Sequence, residues 1–202
     1  MRIVLASGSP RRRELLDMAG FIFEVMPADV DETADPDLSP EQLVAHLAEK
    51  KALYIRDVLQ SKDVVIIGAD TVVAIDDLIL GKPKDEDDAF DMLSRLQGRD
   101  HMVFTGVTVA SHEKCETFVE STKVFMRALD EQEIREYMAT GEPFDKAGAY
   151  GIQERGAVLI ERVEGDYFTV IGLPICRLNK LLKKWGQGDE SPCGVWGSAP
   201  RF

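Results

Sequence analysis

Two rhythms of apolar and polar positions divide this chain. Continuous apolar runs predict buried strands over residues 2–7 (RIVLAS), 21–28 (FIFEVMPA) and 63–70 (DVVIIGAD). Two short apolar runs around Asp76–Asp77, TVVAI and LIL, predict a hairpin. Residues 101–111 and 117–129 predict two further strands as antiparallel neighbours, and 157–165 with 166–172 a last strand pair. Between the strands the spacing stretches towards 3.6. It predicts helices from Pro10 to Ala19, closed by Gly20, and over 40–59, with Leu43, Leu47, Ala48 and Leu53 on one side. Ala89, Phe90, Leu93 and Leu96 mark a helix closed by Gly98, and a last helix covers 173–185. Asp130 and Glu133 form a capping box for a helix over 131–140. Strands and helices mixed without strict alternation predict an α/β fold with a mixed, partly antiparallel central sheet flanked by helices.

Three stretches lack either rhythm. Residues 29–40 (DVDETADPDLSP) predict an acidic, mobile loop, and 141–156 a long glycine-bearing loop of the type that usually serves a site. Residues 186–202 are rich in Gly, Ser and Pro and predict a flexible tail outside a domain spanning 1–185.

Composition narrows the class. The 24 Lys and Arg against 36 Asp and Glu give a net charge of −12, which argues against general binding to nucleic acid or an anionic membrane. No apolar run reaches membrane-spanning length, and the first residues carry no apolar signal region, so a cytoplasmic protein is expected. Cys115, Cys176 and Cys193 form neither a disulfide framework nor a CxxC site, and His46, His101 and His112 lack metal-ligand spacing. His46 is read as helix surface and His101 as a strand start.

Against that acidic background the stretch LASGSPRRREL stands out. Ser9 as cap and Pro10 at the first helical position open a helix whose first turn holds Arg11, Arg12 and Arg13, where cations are unfavourable by about 0.3–1 kcal/mol each. A polyphosphate at that N-terminus would relieve the repulsion, since backbone N–H groups and guanidinium forks both suit phosphate. A solvated basic turn is the plainer alternative.

In GADT, Asp70 ends an apolar strand, where a carboxylate is costly unless a cation meets it. It reads as a Mg²⁺ ligand, as the general base for a water, or as a turn aspartate bonding its own backbone. Lys82, held between Gly81 and Pro83, faces a phosphate, Asp70 or solvent. In DKAGAYGIQ, Gln153 has the paired donor and acceptor that read a base edge. P-loop, GxGxxG, HExxH and GxSxG motifs are absent.

Taken in order, LASGSPRRREL, GADTVV, GKPKD, FTGVTV and DKAGAYGIQ resemble the Maf family of nucleotide pyrophosphatases, from about Arg2 to Trp185. The resemblance implies an ITPase-like α/β fold with a cleft between two lobes. It also implies metal-dependent hydrolysis of a nucleoside triphosphate to monophosphate and pyrophosphate, with Mg²⁺ or Mn²⁺ as cofactor. It makes Asp70 the proton acceptor and a metal ligand with Glu32, and Arg11, Thr71 and Gln153 the selectors of substrate. It sets Ser7, Arg11, Lys51, Lys82 and Lys146 around the phosphates. The DKAGAYGIQ form resembles the branch acting on dTTP and UTP, which usually continues with glycine where this chain has Glu154. Expected partners are the triphosphate, neither nucleic acid nor membrane, and a homodimer as one admitted assembly. Two rival readings are a nucleotide-binding regulator of cell division with little turnover and a phosphatase releasing single phosphates.

Overall fold

The computed structural model describes residues 2–33 and 37–186. The expected C-terminal tail and the middle of the acidic stretch lie outside the described residues. Among those described, the strands are β1 (Arg2–Leu5), β2 (Phe23–Val25), β3 (Val64–Ile75), β4 (Leu78–Leu80), β5 (Asp100–Ala110), β6 (Cys115–Met126) and β7 (Ile160–Glu164). They form one sheet in the order β2-β1-β3-β5-β6-β7, with β4 added on β3. Helices are α1 (Pro10–Met18), α2 (Pro40–Leu59), α3 (Glu86–Leu96), α4 (Glu131–Met138), α5 (Tyr167–Ile171) and α6 (Ile175–Gly186). The sheet is mixed, as the alternation of elements implied. β1 pairs in parallel with β2 and β3, whereas β4 on β3 and β7 on β6 are antiparallel. The short link between the neighbours β5 and β6 permits only an antiparallel pair. None of the described helices is long and apolar enough to cross a membrane.

The chain divides into two compact units, each assembled from separate segments. The first holds Met1–Asp70, Gly106–Val119 and Gly172–Phe202; the second holds Thr71–Thr105 and Glu120–Ile171. In the first, Val4, Ala6, Val64 and Ile66 of the parallel strands pack with Ala52 and Ile55 of α2. The helix lies very close to the strands because two glycines face it. A Cβ on Gly68 would come within 2.2 Å of Ala48 O, and one on Gly106 within 2.3 Å of Val44 O. In the second unit, Ala89, Leu93 and Leu96 of α3 bury against Val73, Val103 and Val124.

Local signals account for most boundaries. Asp130 and Glu133 close a capping box on α4, as their spacing predicts, and Ser39 and Gln42 close another on α2. Gly20 at φ +77 ends α1, with its N–H on Asp17 O and that of Phe21 on Leu16 O. Ser9 occupies the N-cap position of α1, but its side chain makes no capping bond, contrary to expectation.

Two further expectations are corrected. Asp70 does not end its strand: β3 continues to Ile75 and carries both the parallel pairs on its N-terminal half and the β4 hairpin on its C-terminal half. Residues 166–172 are not a strand. Gly165, at φ +132, ends β7, and Asp166 Oδ2 accepts from Thr169 N and Oγ1, capping a single helical turn. The β-branched residues of that turn reflect burial, with Thr169 and Ile171 both buried.

Two measurements test this packing. Gly68→Ala forces helix and strand apart, so it should lower unfolding free energy by roughly 3 kcal/mol or more in urea titrations. An unchanged midpoint would show that α2 does not need that approach. His101, buried with Nε2 on Tyr150 OH at 2.7 Å and its Nδ1 without a partner, has its pKa pulled to about 4 by desolvation, against opposition from Asp100. Between pH 6.5 and 4 the unfolded chain therefore takes up the proton and the folded chain does not. Stability should fall as pH drops through that window, by up to roughly 3 kcal/mol, and His101→Gln should flatten the dependence.

Candidate active site

The site in the first unit starts at the turn between β1 and α1. Ser7 Oγ accepts from Ser9 N at 3.3 Å and from Arg12 Nη1 at 3.1 Å. With both lone pairs engaged, its proton is what it has to offer an anion. The three arginines of the first helical turn have separate fates. Arg12 is buried, donating Nε to Gly172 O and Nη1 to Ala69 O, both at 2.8 Å. Burial lowers its pKa; Asp70 and Glu32 pull it up, and Arg11 pushes it down. It is an internal strut bracing the turn, β3 and the chain at Gly172. Arg13 is exposed and pairs with Asp17 one turn on, at 3.7 Å. Arg11 is half-buried.

Gly68 and Asp70 lie two residues apart on β3 and so share the strand face turned to α2. The close approach at Gly68 delivers Lys51, a buried residue of α2, to the carboxylate: Lys51 Nζ donates to Asp70 Oδ1 at 2.6 Å. The same ammonium pairs with Glu32 Oε1 at 2.8 Å. Lys51 and Asp70 side chains are 9% and 12% exposed, whereas that of Glu32 is 58% exposed, so the inner pair is desolvated and the outer one is not. The neutralising cation that a buried Asp70 requires is Lys51. Sequence spacing alone did not show that.

Glu32 and Asp70, two hard carboxylates on one ammonium, suit a Mg²⁺ or Mn²⁺ ion, because Mg²⁺ is commonly held by one or two carboxylates together with substrate phosphates. No group of three or more His, Cys, Asp or Glu residues able to hold a metal occurs among the described residues, so such an ion would depend on bound phosphate for further ligands.

Thr71 follows Asp70 directly and begins the second unit. Its Oγ1 lies 2.9 Å from Thr105 Oγ1, and Thr105 Oγ1 donates to Thr169 O at 2.7 Å. Lys82 is exposed, and Gly148 N donates to Gly81 O at 3.0 Å, tying the loop of Lys82 to that of Lys146. Lys146 is buried, with Nζ on Glu142 O at 2.7 Å and Asp145 Oδ1 at 2.8 Å. That leaves one of its three protons for another acceptor.

The loop over 141–156 is more ordered than its composition suggests, folding into 3₁₀ turns at Glu142–Asp145, Ala147–Ala149 and Glu154–Leu159. Glu142 organises it: Oε1 accepts from Tyr137 OH and Gly156 N, and Oε2 from Arg155 N. No periodicity singles out Glu142, because its three partners, Tyr137, Arg155 and Gly156, lie 5 to 14 positions away. Gln153 is half-buried in extended backbone, and Glu154 stands at φ +55, a region that favours glycine.

A family model described as Maf-like protein matches residues 2–185. The chain belongs to the Maf-like family. The Maf-like chain is 50% identical over 186 residues to a dTTP/UTP pyrophosphatase of Pelotomaculum thermopropionicum, covering 91% of this chain and 96% of that one. It is 48% identical to a dTTP/UTP pyrophosphatase of Bacillus pumilus (92% and 97% covered) and 49% identical to one of Acetivibrio thermocellus (92% and 96%). The Staphylococcus aureus Ham1 structure aligns at 12% identity with a TM-score of 0.47, covering 93% and 99% of the two chains, a likeness too low to add to the assignment.

The unequal arginines of this Maf-like chain give a test. Arg12→Met leaves Gly172 O and Ala69 O without their donor, so it should cost roughly 2–5 kcal/mol of stability in urea unfolding. Arg13→Met, which removes an exposed pair with Asp17, should cost less than about 1 kcal/mol. Equal losses would contradict the internal role of Arg12.

Proposed function

We propose that this chain hydrolyses nucleoside triphosphates, dTTP and UTP, to the monophosphate and pyrophosphate in the cytoplasm, as an enzyme of nucleotide metabolism. The observation that carries this reading is the buried Lys51–Asp70 pair with Glu32 on the same ammonium, in a Maf-like chain whose relatives bear the name dTTP/UTP pyrophosphatase.

Asp70 is the proton acceptor. Lys51 holds Oδ1, which directs the carboxylate and leaves Oδ2 to take a proton from the water that attacks the α-phosphorus. Attack there breaks the bond to the bridging oxygen and expels pyrophosphate as one unit. A divalent cation held by Asp70 and Glu32 would supply charge neutralisation and polarise a phosphoryl oxygen. A triphosphate brings close to four negative charges to a chain of net charge −12, so binding needs local cations. Ser7 and Arg11 supply a hydroxyl and a guanidinium at the N-terminus of α1, and Lys51 adds its ammonium. Lys82 and Lys146 are read as further phosphate ligands on the joined loops of the second unit. Arg11, Thr71 and Gln153 select the nucleotide, Gln153 through an amide that matches the paired acceptor and donor of a pyrimidine edge. A homodimer is compatible with this reading.

Asp70→Asn tests the assignment. It should bind dTTP within a fewfold of the parent while kcat for pyrophosphate release falls about 10²–10⁴-fold, measured with Mg²⁺ and with Mn²⁺. Parental turnover by that variant removes Asp70 as the base. Orthophosphate as the first product removes the pyrophosphatase reading itself.

A further inference from the structure

In the second unit Lys146 is steered from two ends of one residue. The Glu142 carbonyl accepts from Lys146 Nζ at 2.7 Å. The Glu142 carboxylate accepts from Tyr137 OH at 3.0 Å and from the backbone N–H groups of Gly156 and Arg155. Tyr137, buried on α4, gives its single proton to that carboxylate and takes the Gly151 N–H on its oxygen at 3.1 Å. It therefore fixes Gly151 and Glu142 against each other. The Lys146 stem crosses Gly151 on its way to its acceptors. A Cβ at Gly151 would stand 2.7 Å from Lys146 Cε, 2.9 Å from Cδ and 3.1 Å from Glu142 Oε1. Gly151 is not left-handed, so the position needs glycine for space and not for backbone freedom. Gly156 packs on it as tightly: a Cβ there would run into Gly151 O and stand 2.8 Å from Tyr137 OH.

We infer that Tyr137 and Gly151 are positioning residues for the Lys146 ammonium. Tyr137 anchors the backbone over which the lysine stem runs, and Gly151 leaves the room that the stem occupies. This rests on the reading of Lys146 as a phosphate ligand. A lysine stem is flexible, and its ammonium serves a phosphate well only when packing and hydrogen bonds hold it in place. With two protons committed to Glu142 O and Asp145 Oδ1, the tetrahedral ammonium directs its third along one remaining line. Moving Gly151, or filling the space above it, turns that line away from the ligand.

The test is a pair of double-mutant cycles in the full chain, read as kcat/KM for pyrophosphate release from dTTP. Lys146→Met removes the ammonium and should lower kcat/KM about 10²-fold. Gly151→Ala presses chiefly on the far end of the lysine stem, so its urea midpoint should stay near the parent's. Its kcat/KM should nevertheless fall about tenfold or more, in the same parameter, KM or kcat, that Lys146→Met changes. Tyr137→Phe, which removes only the hydroxyl, should lose about tenfold as well. In the Lys146→Met background neither change should cost more than about twofold further. A role confined to stability would carry the full loss into that background, and losses that multiply overturn the inference. Parental kcat/KM in Gly151→Ala and Tyr137→Phe beside a defective Lys146→Met also overturns it, while the phosphate role of Lys146 survives. Parental activity of Lys146→Met removes that role and this inference together, and leaves the pyrophosphatase reading intact. A parent that releases no pyrophosphate from dTTP or UTP removes that reading, and this inference with it. Should Tyr137→Phe fail to fold, the Gly151→Ala cycle decides alone.

Discussion

A lysine ammonium and an aspartate carboxylate, both nearly sealed from water, meet at 2.6 Å between helix α2 and strand β3. Neither charge is tolerable there alone: removing one partner of such a pair typically costs about 3–5 kcal/mol. The surrounding chemistry of the first unit follows from that constraint. Glycine at 68 lets α2 come close enough for Lys51 to reach across, and Ala48 and Ala52 keep the helix face small at the crossing. Glu32 takes a second position on the same ammonium from the solvent side, so one cation organises two carboxylates.

The neighbourhood of the pair is held by bonds that have no direct part in hydrolysis. Arg12 reaches from the first turn of α1 to the carbonyl just before Asp70, to Ser7 and to Gly172. Its charge is maintained against burial by Asp70 and Glu32. The same carboxylates thus stabilise an internal strut and carry the proposed chemistry. In the second unit, Glu142 plays the comparable bracing part, gathering Tyr137, Arg155 and Gly156 around the segment that carries Lys146 and Gln153.

Much of this was legible in the residues. Local grammar located elements well: the Asp130–Glu133 box, Gly20 after α1 and the hairpin about Asp76–Asp77 all act where their spacing places them. The resemblance to the Maf family pointed to Asp70, Lys51 and Glu32 as site residues, and Lys51 pairs with both carboxylates in the structure. What the residues did not disclose depends on partners distant along the chain. Arg12 looked equivalent to Arg11 because the carbonyls that hold it, Ala69 O and Gly172 O, lie 57 and 160 positions away. Residues 166–172 looked like a strand because apolar, β-branched composition reports burial more faithfully than conformation, and Asp166 decides the conformation by capping. Asp70 looked terminal because the run of apolar residues pauses there, although strand pairing continues on both sides of it.

A double-mutant cycle on Lys51→Met and Asp70→Asn, read as kcat for pyrophosphate release from dTTP, addresses the pair most directly. If the two side chains act as one device, each single variant loses about 10²-fold or more and the double variant is scarcely worse than the poorer single. Losses that multiply would mean that Lys51 and Asp70 work independently, and the buried pair would not be the element on which turnover depends.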